Sequence, residues 1–199
     1  MRQFLKYLLE NVESEELIFK KGSRLLTEKH GKPMYYVFGI CEGIIAVNKD
    51  SSVIDFLGPN QFLGLCVDDD SELVGEILSK KATVRRFKLQ DVLEKVEVNK
   101  HALLLLNRYT RKTCDSLMEK IISMKLDTPN RLLFSLRKLA AQFGSDFKDE
   151  SVKLLPEAFT KKILSTYTGI KPSTLTDALR TLDEDRKIMV SRRVILVYM

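Results

Sequence analysis

The sequence predicts an α+β protein with a β-rich N-terminal region, one long helix and a helical unit that ends in a β-hairpin. Short apolar runs separated by glycine- and asparagine-containing turns occupy residues 16–90, which is typical of an antiparallel sandwich, barrel or roll. Residues 100–125 contain no glycine or proline and repeat apolar residues at helical spacing. Residues 160–198 have the spacing of two short helices followed by two β-rich runs.

The composition is that of a globular protein in water. Of 199 residues, 44% are hydrophobic and 30% charged, a balance that excludes a disordered chain, a collagen-like repeat and a multi-span membrane protein. The longest apolar run, Ala102–Leu106, is far shorter than the roughly 18 residues that a membrane helix needs. Residues 1–10 show no secretory signal, so we expect a cytoplasmic protein with no membrane partner. The net charge of +6 permits an anionic partner without identifying one.

Metal sites and catalytic motifs are not expected. The cysteines Cys41, Cys66 and Cys114 are widely spaced and only two histidines could join them, which argues against a disulfide framework or a zinc site. Asp68–Asp70 lacks the pattern of a calcium loop, so we expect a solvated loop there. No nucleophile elbow, zinc-protease motif, phosphate-binding loop or dinucleotide-binding loop occurs, and we therefore expect no enzyme.

Five strands are expected in the first half of the chain. Turn residues such as Gly22, Gly31, Gly43 and Gly58 separate their apolar runs. The runs lie at residues 17–19, 34–38, 44–47, 53–57 and 83–87.

Two helices follow the strands. Asp91 is expected to cap a short helix that ends at Val96, and Asn99 to cap a long helix from Lys100 to Lys125. The long helix carries a seven-residue repeat with flanking residues: Leu103, Leu106, Thr110, Cys114, Leu117, Ile121 and Met124. A stripe of this length needs a partner, which the periodicity leaves open as either the protein's own core or a second copy of the chain.

The segment that starts at Asp127 predicts a boundary. Pro129 suits the first turn of a helix, which Asp127 or Thr128 can cap and which Gly144 would stop. The polar stretch at residues 145–153 is expected to be a loop. The simplest organisation is a β-domain at 1–98, the long helix at 99–126 and a C-terminal unit at 127–199, with a hinge near Asp127.

The C-terminal unit contains a helix-turn-helix pattern followed by a wing. Thr160 can cap a first helix at Lys161–Thr168, Gly169 permits a sharp turn, and Pro172 opens a second helix. The helix-turn-helix spacing is met by Leu164, Ser165, Gly169, Ile170, Leu175 and Ala178, and Leu179 and Leu182 extend the buried side of the second helix. Residues 188–190 and 194–198 flank a short basic turn and predict a β-hairpin. Together these elements indicate a reader of duplex DNA.

The second helix would enter the major groove by its N-terminal turn. The predicted contacts to bases or backbone at this helix are Lys171, Pro172, Ser173, Thr174, Thr176, Asp177 and Arg180. Phosphate contacts suit Arg180 together with Lys161, Lys162, Arg192 and Arg193. For the charged residues, a simple solvated surface is the alternative. Residues 127–199 carry 13 basic and 9 acidic residues, so most of the surplus positive charge lies here.

The order of elements resembles the Crp/Fnr superfamily of bacterial transcription regulators. The matching features are the glycine-punctuated β-region, the segment Phe56–Gly64, the long helix, the Asp127–Arg131 junction and the C-terminal motif. The resemblance implies an N-terminal antiparallel β-roll (a double-stranded β-helix, jelly-roll-like), a long dimerisation helix and a winged helix-turn-helix. It also implies a homodimer that binds a near-palindromic operator in double-stranded DNA. RNA polymerase and an unidentified small-molecule effector are further partners that it allows.

The sequence departs from the family at its effector site. Gly64 is followed by Leu65 and Cys66 where relatives that bind cyclic nucleotides carry Gly-Glu, and no arginine lies between Arg24 and Arg85. A phosphate site without its arginine is electrostatically implausible. The N-terminal cysteine cluster of the oxygen-sensing branch is absent. We therefore expect no cyclic nucleotide, iron–sulfur cluster, haem or other cofactor.

The recognition helix departs as well. Pro172, Ser173 and Asp177 stand where relatives that read the best-known half-site carry Arg, Glu and Arg, so a different operator is expected. Two other functions stay open: a ligand- or protein-binding sensor whose helix-turn-helix does not read DNA, and a thiol sensor that uses the cysteines.

Overall fold

The computed structural model describes residues 2–29, 32–50, 52–65, 73–192 and 194–199. The chain forms two compact units, Met1–Asp115 and Ser116–Met199, so the division falls within the long helix. Gly31, Cys66, Asp68–Asp70 and Arg193, about which the sequence made predictions, lie outside the described residues.

Within its described residues, the N-terminal unit combines three helices with nine strands. In chain order they are α1 (Arg2–Asn11), β1 (Glu15–Lys20), β2 (Arg24–Leu26), β3 (Glu28–Lys29), β4 (Lys32–Glu42), β5 (Ile45–Lys49), β6 (Ser52–Leu57), β7 (Phe62–Leu63), β8 (Val74–Ile77), β9 (Lys81–Lys88), α2 (Leu89–Glu97) and α3 (Lys100–Ser123). All five predicted strands are present, and the predicted antiparallel β-domain followed by a long helix is confirmed.

Two antiparallel sheets form the β-domain. One has the order β1-β9-β4-β3 with β7 also paired to β4, and the other has the order β2-β8-β5-β6. Apolar side chains from both sheets share one core, in which Leu25, Ile40, Ile45 and Ile77 are almost completely buried. Because the inner faces of both sheets are filled in this way, the domain is held together by side-chain packing between the sheets.

A second core joins the helices to one end of the sheet. Phe4 of α1, Val92 of α2 and Tyr109 of α3 pack with Phe62 and Phe87 from the strands. The ring of Phe62 lies 5.3 Å from the rings of both Phe4 and Tyr109. The start of α3 is thereby packed against the β-domain.

The helix boundaries differ in detail from the predictions. Asn99 caps α3, since its Oδ1 accepts hydrogen bonds from the amides of His101 and Ala102 at 3.0 and 3.1 Å. The predicted Asp91 cap is wrong: α2 begins at Leu89, and Asp91 lies in its first turn, where a carboxylate still favours the helix dipole. The helix α3 ends at Ser123 and not at Lys125, because the chain tightens into a turn there.

The C-terminal unit contains the end of α3 and seven further elements. They are α4 (Thr128–Phe143), β10 (Ser145–Phe147), β11 (Asp149–Leu154), α5 (Lys161–Thr168), α6 (Pro172–Glu184), β12 (Ile188–Ser191) and β13 (Val194–Tyr198). Asp127 is the N-cap of α4, since its Oδ1 accepts the amide hydrogen of Asn130 at 2.9 Å. The predicted end of α4 at Gly144 is confirmed, and Gly144 has an extended backbone with φ −70° and ψ 152°.

The predicted loop at residues 145–153 is wrong. This stretch forms β10 and β11, and the four strands of the unit are ordered β10-β11-β13-β12. Its side chains are mostly exposed, so it carries no apolar alternation that would have indicated a strand. Strand β11 forms because its backbone pairs with β13, with Val152 opposite Tyr198.

Candidate nucleic-acid interface

The turn between α5 and α6 is fixed by short-range hydrogen bonds and one glycine. Thr160 caps α5 by accepting the amide hydrogen of Ile163 at 3.3 Å, and Gly169 ends the helix with φ +67°. The Ser165 hydroxyl donates to the Ile170 carbonyl at 2.6 Å. Ser165 therefore bonds across the turn, which fixes the direction in which α6 leaves α5.

One face of α6 is buried and the opposite face is exposed. Leu175, Ala178, Leu179 and Leu182 are at most 4% exposed, as their spacing predicts. The outward face carries every residue predicted to contact DNA on this helix, all of them exposed: Lys171, Pro172, Ser173, Thr174, Thr176, Asp177 and Arg180. The structure therefore brings this predicted set together on one solvent-facing surface.

The N-terminal turn of α6 offers unused hydrogen-bond donors. The first helical bond runs from the Leu175 amide to the Lys171 carbonyl at 2.8 Å, and the Lys171 side chain makes no cap. Within the described part of the chain, the amides of Ser173 and Thr174 have no partner. Amides at a helix N-terminus attract anions and acceptor atoms. This end of α6 is suited to a phosphate oxygen or a base acceptor.

Two side chains on the outward face are constrained by their neighbours. The Thr176 hydroxyl donates to the Pro172 carbonyl at 3.0 Å, which leaves the methyl group as its outer surface. The Arg180 guanidinium lies 3.8 Å from Asp177 and 3.9 Å from Glu184. Such exposed ion pairs are weak, so Arg180 can exchange a carboxylate for a phosphate.

The wing and the first helix supply the remaining cations. Strands β12 and β13 pair from Ile188 opposite Val197 to Ser191 opposite Val194, which places Arg192 in the exposed turn between them. The Val190 amide donates to Asp183 Oδ1 at 3.1 Å and ties the wing to the end of α6. Lys161 and Lys162, at the start of α5, are also exposed.

Most residues of the seven-residue repeat along α3 lie away from the core, and the exception is Leu106, which packs against it. Leu103, Cys114, Leu117, Ile121 and Met124 are exposed, and Leu106 and Thr110 are half-buried. The buried positions of α3 in the N-terminal unit are instead Ala102, Leu105 and Tyr109, which the sequence did not single out.

Two lysines attach the end of α3 to the rest of the C-terminal unit. The Nζ of Lys120 lies 4.3 Å from the centre of the Tyr167 ring on α5. Lys138 of α4 donates to the Ser116 carbonyl at 2.9 Å and pairs with Glu119 at 3.0 Å. These contacts were missed because the residues that they join are 19 to 47 positions apart, and such pairs carry no signal in the sequence.

The described cysteines show no sign of activation. Cys41 and Cys114 are free thiols on the surface. Burial raises the pKa of the Cys41 thiol, and the nearby Arg85 offsets this only in part. Because the thiolate is the reactive form, a raised pKa makes Cys41 a slow thiol at neutral pH.

The described ranges hold neither a metal-binding cluster nor a membrane-spanning helix. No group of three or more His, Cys, Asp or Glu side chains there could hold a metal ion. No described helix is both long enough and apolar enough to cross a membrane.

The fold is similar to that of a CRP/FNR family regulator and of two other solved proteins, in agreement with the fold that the sequence resemblance implied. A cyclic nucleotide-binding domain containing protein from Listeria monocytogenes matches with a TM-score of 0.78 and 16% identity, over 98% of this chain and 96% of the other. FixK2 from Bradyrhizobium japonicum matches with a TM-score of 0.74 and 15% identity, over 94% and 93%. A transcriptional regulator of the CRP/FNR family from Thermus thermophilus matches with a TM-score of 0.73 and 16% identity, over 93% and 94%. No family model and no curated protein matches the sequence itself.

Proposed function

We propose that the chain is a sequence-specific DNA-binding transcription regulator that acts as a homodimer and has no enzymatic activity. The observation that carries this proposal is the outward face of α6, where polar side chains and two free backbone amides surround an exposed helix N-terminus. The elements that pack against α6, namely α5 and the wing, also carry exposed cations. An α-helix presented in this way fits the major groove, which is wide enough to admit it.

Base reading and phosphate binding fall to different residues. Ser173 and Thr174 lie in the first turn of α6 and can donate to or accept from base edges, and the outward methyl of Thr176 suits the methyl group of thymine. Lys161 and Lys162 of α5 and Arg192 of the wing are exposed cations and suit phosphates, which hold the protein in register without reading sequence. Pro172, Ser173 and Asp177 stand at the α6 positions where the family carries Arg, Glu and Arg, which favours a different operator.

The direct test is selection of bound duplexes from a random pool, followed by gel-shift titration of the selected sequence at several salt concentrations. Arg192→Ala should weaken binding to all duplexes alike and reduce the salt slope by about one. Ser173→Ala should instead relax preference at one base position, at a cost of about 1–3 kcal/mol.

A matched control is Lys148→Ala. Lys148 is an exposed cation between β10 and β11, at the opposite edge and the opposite end of the sheet from the wing turn. Its loss should leave affinity and salt slope unchanged. Binding without sequence preference at physiological salt would refute the proposal and favour a sensor that does not read DNA.

The exposed stripe on α3 supports the dimer. Leu117, Ile121 and Met124 are 36%, 61% and 53% exposed in a single chain, which leaves apolar area that a second copy of α3 can cover. Lys in place of both Leu117 and Ile121 should give a monomer by sedimentation and abolish binding to a two-half-site operator.

Cys114 provides a geometric test of the same seam. With Cys41 and Cys66 replaced by serine, mild oxidation should link two chains through Cys114, because seam positions of a parallel helix pair approach within disulfide range. Moving the thiol one position, with Cys114→Ser and Asp115→Cys, turns it about 100° around the helix and should prevent the link. Equal cross-linking of both variants would contradict the seam.

Control by a cyclic nucleotide is not part of the proposal. Apolar side chains such as Leu25, Ile40 and Ile45 fill the described interior of the β-domain. Two arginines of β9 are already engaged in ion pairs, with Arg85 2.7 Å from Glu16 and Arg86 paired with Glu15. Calorimetric titration with cyclic AMP should therefore show no heat of binding and no change in DNA affinity.

A further inference from the structure

A groove in the C-terminal unit lies on α4, apart from α5, α6 and the wing. It has a volume of about 670 Å³ and is lined by the residues that define the α4 groove: Glu119, Leu126, Asn130, Leu133, Phe134, Arg137, Lys138 and Ala141. Leu126 and Phe134 are 39% and 36% exposed although they are large and apolar. This volume is within the range of small-molecule sites in proteins.

One positive charge in the groove is left without a counter-charge. The Lys138 ammonium is satisfied by the Ser116 carbonyl and the Glu119 carboxylate. Arg137 donates through Nε to the Tyr198 carbonyl at 3.0 Å, which holds the guanidinium plane. Its two terminal nitrogens have no partner among the described residues. A guanidinium fixed in this way presents parallel donors that match a carboxylate or sulfonate.

The groove and the proposed dimer seam lie on different sides of α3. At about 100° per residue, Glu119 is about 160° around the helix from both Leu117 and Ile121. A second chain that packs along the seam would therefore leave the groove open. The free space and the single unbalanced cation are better matched by a small ligand than by another copy of the protein.

We propose that the α4 groove binds a small amphipathic monoanion, in which a hydrocarbon chain or ring lies on Leu126, Leu133 and Phe134 and one acidic head group bonds to Arg137. Binding of the ligand's apolar part is driven by burial of the exposed leucine and phenylalanine surface. The head group supplies the specificity, since a cation of the same size would be repelled. This inference does not depend on whether α6 reads DNA.

The test uses the full chain and the fluorescent probe anilinonaphthalene sulfonate, which has an aromatic body and one sulfonate. We expect one saturable site per chain, displaced by decanoate but not by decylammonium at the same concentration. Arg137→Gln should weaken decanoate about tenfold, the factor expected for losing a charge-assisted contact, and leave competition by decanol unchanged. Phe134→Asp should abolish binding, and circular dichroism reports whether it folds.

A matched control is Leu104→Asp, which alters an apolar residue of α3 that is 60% exposed in the N-terminal unit and should leave binding unchanged. Equal displacement by decanoate and decylammonium, or unchanged decanoate affinity in Arg137→Gln, would overturn the proposal. So would the absence of a saturable site. Probe binding that falls as the chain concentration rises, with a parallel growth in oligomer size, would instead assign the groove to a second copy.

Discussion

The hydroxyl of Tyr109 makes two hydrogen bonds to one residue of the β-domain, and its removal gives a quantitative prediction. It donates to the Phe62 carbonyl at 2.8 Å and accepts the Phe62 amide hydrogen at 3.2 Å. The side of β7 that faces α3 is bonded in this way, while the other side pairs with β4. Tyr109 and Phe62 are 4% and 3% exposed, so water has little access to either backbone group.

Tyr109→Phe removes only the oxygen. The ring can keep its edge-on contact with Phe62, at 5.3 Å and 90°, so no cavity larger than the hydroxyl is created. Each buried backbone group left without a partner costs about 1–3 kcal/mol. Because the hydrogen bond from the Phe62 amide is the longer and weaker of the two, we expect a total loss of about 2–4 kcal/mol in the free energy of unfolding of the N-terminal unit.

The measurement is urea unfolding followed by far-ultraviolet circular dichroism, combined with hydrogen exchange of the Phe62 amide to identify the unit that opens. The control is Tyr7→Phe, which removes an exposed hydroxyl bonded to the Lys95 carbonyl at 3.0 Å and should cost less than about 1 kcal/mol. Equal losses in the two variants, or unchanged exchange at Phe62 in Tyr109→Phe, would refute the reasoning.

Three further predictions concern local structure. Gly169→Ala should cost about 1 kcal/mol of unfolding free energy in the C-terminal unit, because a φ of +67° is unfavourable for alanine. The added Cβ meets no atom within 4 Å, so no clash adds to this cost, and a loss above about 3 kcal/mol in denaturant melts would contradict this account. Asp127→Ala should destabilise α4 by about 0.5–2 kcal/mol and Asp127→Asn by much less, since Asn retains the cap; equal losses in thermal melts would show that capping is not the cause. The rate of Cys41 modification by iodoacetamide, measured with the other cysteines changed to serine, should have a pH midpoint above the ordinary thiol pKa, because burial disfavours the thiolate. Modification at neutral pH should therefore be slower than that of a free thiol. A midpoint below the ordinary thiol pKa would favour the thiol-sensor hypothesis.

Local sequence signals predicted much of the C-terminal unit. The ends of α5 coincide with the predicted residues because Thr160 and Gly169 act within one helical turn of themselves, through a side-chain cap and a left-handed φ. The buried face of α6 follows from the 3.6-residue period alone. The sequence resemblance to the Crp/Fnr regulators depended on the order in which these signals occur, and the order of elements in the observed fold agrees with it.

Structural features that depend on contacts with distant parts of the chain could not be predicted from the sequence. The polar strand β11 forms because its backbone pairs with β13, some forty residues later, and β10 pairs in turn with β11. The two-residue strand β7 forms beside β4. The Tyr109 contact with Phe62 joins residues 47 apart, so no periodicity could have shown it.

The sequence by itself determined the class of fold, the turn that aims α6 and the residue types on its outward face, because capping, glycine conformations and apolar periodicity act over a few residues. Only the tertiary structure decided which apolar residues of α3 are buried and which stay exposed, since both sets share one helical period and differ in what packs against them. It also decided that Arg137 keeps free donors above an apolar groove while Lys138, the next residue, is neutralised. Charges adjacent in sequence face different surroundings once the chain is folded, and their chemistry follows those surroundings.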